Sequence, residues 1–353
     1  MDHLNFSTRL QDNARQTNKI LNASIELLSA CNCDCIHCYH SEHCMEGLSF
    51  DQYTSIIDQL KDAGVFDIQL TGGEIFLRQD IIDIIDYIFK KHISIEIFTN
   101  ATMVDDHIAQ KLSKKIKTCY VSVYGYTKQT YESVTQTPGS FDMFKNGIDA
   151  LLKHSIPIQF NVVVLKENYH EMNEMIEFCS QTLNCNPNDH RIRVSFNVLP
   201  QKNGCENNVC HAINGKEYIE GIKKLYFGET PPSYDNIKKH IADLNVAPCR
   251  AGNWSINIDA SGNVLPCMCF PLVFGNILNT SLKDILNNPI SSTHRKVNVC
   301  DIEGCNNCEY VNFCSLCLGQ IYTTSGDYVC DKKSDLCRQT KEFAEFLKSN
   351  EKR

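Results

Sequence analysis

The 353-residue chain carries 20 cysteines, and their grouping constrains it more than any other feature. They gather in two fields, one around residues 31–44 and one from 249 to 337. An exported protein would use such a set as a disulfide framework. Here the N-terminus (MDHLNFSTRLQDNARQ) is polar, carries charges of both signs and lacks an apolar core long enough for a signal peptide. No apolar run approaches the roughly 20 residues that cross a bilayer. The sequence therefore reads as a soluble, cytoplasmic protein whose thiols stay reduced, and clustered reduced thiols point to metal or redox chemistry. Cys119 and Cys179 read differently, as small buried hydrophobes within apolar strand and helix patterns. The formal net charge of −8 argues against a nucleic-acid or anionic-membrane partner.

Between residues 24 and 199 the hydrophobic pattern alternates between periods of two and 3.6. Strand patterns fall at 24–30, 67–70, 93–98, 118–123, 156–165 and 192–199. Helical patterns lie between them, such as Phe50, Tyr53, Ile56, Ile57 and Leu60, closed by Gly64. Strands alternating with helices imply parallel pairing through right-handed crossovers. Six units are too few for a closed eight-fold barrel and enough for a partial one; a doubly wound sheet is the alternative. Both place ligands at the C-terminal ends of the strands. Residues 201–244 read as a polar loop followed by two modest helices. From residue 245 regular periodicity fades until a final helix near 338–349, so metal rather than core burial is expected to hold this part. The expected division is an N-terminal extension (1–23), an α/β partial barrel (24–200), a helical linker (201–244) and a small cysteine-rich domain (245–353).

Just after the first strand, Cys31, Cys35 and Cys38 form C-x3-C-x2-C. Three thiolates on one loop suit an iron–sulfur cube, and three ligands for four irons leave one iron open for catalysis. The competing reading is a zinc site with His37 or His43. Zinc sites usually pair CxxC with a second pair or with histidines, and no second pair follows within a strand and a turn. Cys33 reads as a bystander inside the motif. This spacing, with aromatic Tyr39 after the last cysteine and its place after strand 1, resembles the radical S-adenosylmethionine (SAM) superfamily. The resemblance implies a partial (β/α)6 barrel and a [4Fe–4S] cluster whose open iron chelates SAM. It also implies cleavage of SAM to a 5′-deoxyadenosyl radical that abstracts hydrogen from substrate. Gly72-Gly73-Glu74 at the end of strand 2 resembles the family's GGE motif, implying glycine backbone close to SAM and a Glu74 carboxylate that accepts from its ammonium; the usual following proline is Ile75. Asn100, after Thr99 at the end of strand 3, and Ser122 on strand 4 match positions that contact SAM. An arginine common on the following segment is missing, with Thr135 nearby, which leaves Ser122 and Lys128 or Lys166 for the SAM carboxylate. Asn168 and Leu199 stand where the ribose or adenine is lined, or are a loop cap and a core residue.

Cys249 and Cys267, with Gly262 between, are followed by Cys305-x2-Cys308-x5-Cys314-x2-Cys317 and then Cys330 and Cys337. This resembles the SPASM domain, the auxiliary-cluster extension of peptide-modifying radical SAM enzymes, although the Cys314–Cys317 gap is one residue shorter than its commonest form. The family's interleaved wiring implies Cys249, Cys267 and Cys317 on auxiliary cluster I. It implies Cys305, Cys308, Cys314 and either Cys337 or Cys330 on auxiliary cluster II. No cysteine lies between Cys249 and Cys267, so cluster I has an open iron or takes Cys269. Two structural zinc knuckles are the bland alternative.

The resemblance implies a maturase of a ribosomally made precursor peptide that installs an oxidative crosslink, a thioether or carbon–carbon bond. An electron donor such as flavodoxin or ferredoxin is expected as a partner. About two dozen residues precede strand 1, too few for a leader-binding domain, so a separate leader-binding protein or the barrel itself is expected to take that role. The rival readings are a sulfatase-type formylglycine maturase, a peptide epimerase using Cys205 or Cys210 as hydrogen donor, and a non-catalytic metal-binding scaffold.

Overall fold

In the computed structural model, residues 3–40, 46–225, 232–239, 244–332 and 334–351 are described. Helix α1 (His3–Gln16) leads into β1 (Asn22–Glu26), and then α2 (Phe50–Asp62), β2 (Asp67–Thr71), α3 (Ile81–Lys90), β3 (Ser94–Thr99), α4 (Asp106–Leu112) and β4 (Thr118–Val123) alternate. Two helices, α5 (Lys128–Thr135) and α6 (Ser140–Lys153), precede β5 (Ile158–Val163), α7 (Met172–Leu183) and β6 (Ile192–Ser195). The six strands pair in parallel in the order in which they occur. A doubly wound sheet reverses its order at a switch point. This order never reverses, so right-handed crossovers stack every helix on one face and the sheet curls into an open partial barrel.

The strand alternation explains the two faces. Ile95 and Ile97 of β3 and Cys119, Val121 and Val123 of β4 are fully buried against the helix layer. The intervening residues line the concave side and are largely polar or aromatic, with Phe98 and Tyr120 stacked at 4.5 Å and Arg193 above the Tyr120 ring. The helices present apolar stripes inward, Ile81, Ile84, Ile85 and Ile88 on α3 and Tyr53, Ile56, Ile57 and Leu60 on α2. Helix α2 starts at a reciprocal capping box between Ser49 and Gln52, which fixes where the chain leaves the cysteine loop.

After α8 (Gly215–Leu225) and α9 (Tyr234–Lys239), the chain returns to the sheet. β7 (Ser255–Ile258) pairs in parallel with β1, and β8 (Asn263–Leu265) and β9 (Gly275–Asn276) follow antiparallel. One nine-stranded sheet therefore crosses the expected boundary near residue 245. The last part holds α10 (Leu282–Asn287), α11 (Pro289–Lys296), α12 (Leu318–Ser325) and α13 (Asp335–Asn350). It has more core than its composition promises. Phe274, Ile277, Leu282 and Ile285 join the barrel core, while Phe270, Ile302, Leu318 and Ile321 make a small core of their own beside Cys305 and Cys330. Among the described residues no helix is long and apolar enough to cross a membrane.

Candidate active site and cluster cradles

The loop carrying Cys31, Cys35 and Cys38 leaves β1 at the C-terminal end of the sheet and is anchored on three sides. Asp34 N and Ile36 N donate to the carbonyls of Thr135 and Val134 at the end of α5 (3.0 Å each). Gly73 N and Glu74 N donate to Leu28 O and Ala30 O (2.9 Å each). Lys202 N, beyond β6, donates to Tyr39 O at 2.9 Å. Cys38 N closes a turn on Cys35 O (3.0 Å), and Cys33 N lies 3.5 Å from the Cys31 sulfur. The Cys33 thiol, read as a bystander, touches that of Cys35. Burial pushes the Cys31 thiol up to about 12, so a metal is what would hold it as thiolate.

Gly72 has φ 145°, and a Cβ there would stand 2.3 Å from Leu28 O; a Cβ on Gly73 would stand 2.1 Å from Ala30 O. The close approach these glycines permit is to the cysteine loop itself. Glu74 is fully buried, and its carboxylate accepts from Thr99 Oγ1 (2.9 Å), Asn100 N (2.8 Å) and Phe76 N (3.2 Å). Burial pushes its carboxyl up to about 7 against those hydrogen bonds. Asn100 in turn donates from Nδ2 to Asn32 Oδ1 (3.0 Å), with the Cys33 and Cys31 sulfurs 3.7 and 3.9 Å away. The GGE turn, the end of β3 and the cysteine loop thus form one hydrogen-bonded unit. Ser122 stands on the concave face of β4 and its hydroxyl bonds Tyr124, a residue the motif search missed, whose ring packs on His37 at 5.1 Å.

Other expected positions are built into the frame. Thr135 Oγ1 is buried against Ser140 Oγ (2.7 Å). Asn168 is fully buried and ties Leu165 N to the carbonyls of Tyr124 and Val163. Lys128 pairs with Asp142 on the surface, and Lys166 donates to Cys210 O. Cys119 and Cys179 are fully buried. His43 lies outside the described residues.

A cavity of about 200 Å³ separates this loop from the second cysteine field; Tyr39, Leu199 and Lys202 line it together with Met268, Cys269 and Gln320. Asn257 of β7 and Asp259 also line it. Asn257 is 1% exposed, and neither its Oδ1 nor its Nδ2 meets hydrogen-bond geometry, though it lies beside Glu26. Glu26 is buried, pairs with Lys202 through Oε2 and leaves Oε1 unpartnered.

The second field folds into two cradles. Cys267 and Cys317 each neighbour both Cys249 and Cys269, the four being brought from the approach to β7, the end of β8 and the N-terminus of α12. Cys305, Cys308, Cys314, Cys330 and Cys337 surround a cavity of about 210 Å³, with the Cys330 and Cys337 sulfurs 3.4 Å apart. Zinc draws its thiolates to within about 2.3 Å of one ion. Among the described residues no three His, Cys, Asp or Glu side chains have the geometry of a single-ion site. Four thiols in one cradle and five in the other are a soft donor set that suits iron–sulfur clusters.

The profile of the radical SAM superfamily matches residues 25–179, and that of the SPASM iron–sulfur cluster-binding domain matches residues 249–309. The AdoMet-dependent heme synthase of Methanosarcina barkeri is 25% identical over 334 residues, 86% of this chain and 93% of that protein. The antilisterial bacteriocin subtilosin biosynthesis protein AlbA of Bacillus subtilis is 28% identical over 282 residues, 76% of this chain and 60% of that protein. Among solved structures, anSMEcpe with bound AdoMet and the Cp18Cys peptide has a TM-score of 0.66 at 16% identity, covering 94% of this chain and 98% of the other. SuiB of Streptococcus suis bound to its precursor peptide SuiA has a TM-score of 0.64 at 17% identity, covering 94% and 80%. These two likenesses concern the fold. With the cysteine loop, the GGE turn and both family profiles in agreement, the chain belongs to the radical SAM superfamily as an enzyme with a C-terminal SPASM region, and its cofactors are [4Fe–4S] clusters and SAM.

Proposed function

We propose that this enzyme modifies a ribosomally made precursor peptide by hydrogen abstraction and installs an oxidative crosslink, a thioether or carbon–carbon bond. Residues 24–200 are the SAM-cleaving part and residues 245–353 the auxiliary-cluster part. The observation that carries the reading is the cavity between Tyr39 and Cys269, polar on its β7 side and placed between the two cysteine fields. When bound, the first cluster supplies the electron that cleaves SAM, and the auxiliary clusters supply an acceptor for the surplus electron. Cys31, Cys35 and Cys38 hold the first cluster, and Gly72, Gly73, Glu74, Asn100, Ser122 and Tyr39 shape the SAM pocket. Cys305, Cys308, Cys314 and Cys337 hold the second auxiliary cluster. Relatives named as a subtilosin biosynthesis protein and mycofactocin maturases support a peptide substrate; a flavodoxin or ferredoxin is the electron donor this reading needs, and the leader is taken by a separate protein or by the barrel itself.

A second reading, heme synthesis, is favoured by the near full-length coverage of the heme synthases. Anaerobically reconstituted enzyme with SAM and dithionite separates the two. It is offered cysteine-containing synthetic peptides in one arm and an iron-tetrapyrrole carboxylate in the other. Release of 5′-deoxyadenosine with a peptide that loses two hydrogens supports the maturase. Turnover of the tetrapyrrole alone replaces it. Solvent deuterium at one α-carbon without mass loss points to epimerisation, with half-buried Cys205 as the donor to test.

A further inference from the structure

The sequence leaves the fourth position of the first auxiliary cradle open, and the fold brings a thiol to it. β8 ends at Leu265, and the next residues turn back at once, with Phe270 N donating to Cys267 O at 3.1 Å. The turn keeps the Cys269 thiol beside that of Cys267, in the group that Cys317 also joins. The turn is clamped from both sides. Phe270, 1% exposed, is gripped by the rings of His294 (5.2 Å) and Tyr322 (4.9 Å). Gly319 lies so near that an added Cβ would stand 2.4 Å from Cys269 O. That contact docks the first turn of α12, and with it Cys317 at its N-cap, onto the backbone of Cys269.

Other ligand types beside the cradle are already engaged. Asp259 accepts from Ser261 N, Asn263 N and Asn263 Nδ2 (2.9 Å each), which closes the β7–β8 turn. His294 uses Nδ1 on Tyr328 and Nε2 on Ala251 O, both at 2.8 Å.

We infer that Cys269 is the fourth protein ligand of auxiliary cluster I, so that no iron of that cluster is open to substrate. This rests on reading the C-terminal cysteines as iron–sulfur ligands. Substrate in the cavity then meets that cluster across the Cys269 side chain and does not ligate it, which removes direct thiolate or amide coordination from the reaction.

The test uses the full chain in a C31A/C35A/C38A background, which takes the SAM cluster away. After anaerobic reconstitution with ⁵⁷Fe and sulfide, this background should hold about eight irons per chain. Mössbauer spectra should show thiolate-ligated iron only, and mild ferricyanide oxidation should give little three-iron EPR signal. Adding C269A should raise that signal by about tenfold, because an iron without a thiolate ligand leaves first. C269S keeps the side-chain size and should keep the iron, while one iron acquires an oxygen-ligated isomer shift. A strong three-iron signal already in the background overturns the assignment, as does a C269S spectrum identical to that of its parent. A background without iron refutes the cluster reading itself, a result distinct from both.

Discussion

Replacing Glu74 by glutamine would set an amide where three protein donors now converge on two oxygens. At least one of those donors would lose its acceptor inside the core, which costs about 1–3 kcal/mol. Urea denaturation of E74Q should show that loss, and an unchanged midpoint would remove Glu74 from the link between β2, β3 and the cysteine loop. The sign of the pH dependence is fixed as well. The carboxyl titrates at about 7 in the fold against an ordinary 4.5, so the folded chain binds the extra proton between those values. Its stabilising contribution is complete below about 4.5 and is lost as pH rises to about 7; wild type minus E74Q should fall across that window and then level off. Gly73 makes a second residue-level case. In G73A the new Cβ meets Ala30 O at 2.1 Å and must push the cysteine loop aside, at about 1–3 kcal/mol. Iron counting should find about four fewer irons per chain, with the C-terminal clusters retained; full iron loading would argue against the clamp. The order of these residues along the chain was readable, because strand ends gather motif residues at one rim. What each one touches was not. The glycines admit the cysteine loop of another βα unit, Asn168 is a frame residue that reaches across to Tyr124 O, and Thr135 is one held locally by Tyr131 O and Ser140 Oγ.

At the scale of elements, β4 begins and ends where its apolar alternation does, but β6 stops at Ser195, short of the expected 199. The chain beyond it turns to form the cavity wall with Leu199 and Lys202. Helix α5 carries no apolar periodicity because KQTYESVT is mostly polar; its Thr127 N-cap and the buried Tyr131 and Val134 define it in space. Helix α1 likewise lies in a segment read only as a polar extension. Arg15 fastens it by donating to Arg295 O (2.8 Å), Val297 O (3.2 Å) and Asn298 Oδ1 (2.9 Å). R15A should release the helix at about 1–3 kcal/mol, seen as faster amide exchange in residues 9–16; unchanged exchange would show that other contacts suffice. The remaining ligand is proposed to come from helix α13. It carries Cys337 in its first turn, where Ser334 caps the Cys337 amide. Five cysteines face a cavity that needs four, and C337A should lose about four irons while C330A keeps them. The opposite pattern gives the position to Cys330.

For the whole molecule, the two cysteine fields were legible as separate chemistries, but their physical union was not. The short strands β7–β9 carry no long apolar run, and their pairing with β1 depends on residues far away in the chain. A fragment ending at residue 244 would leave the backbone of β1 bare along one edge, which invites edge-to-edge association. Such a fragment should elute as soluble aggregate on size exclusion, and a well-behaved monomer would show that β7 is dispensable. The pairing of Asn22 with Ser255 has one more consequence, in time. The partner strands are roughly 230 residues apart, a contact of the slow, non-local kind. At about 5–20 residues per second, the ribosome delivers β7 on the order of 10–50 s after β1. For that interval a half-built barrel with a complete cysteine loop has one flank open, and it closes only when translation has delivered β7.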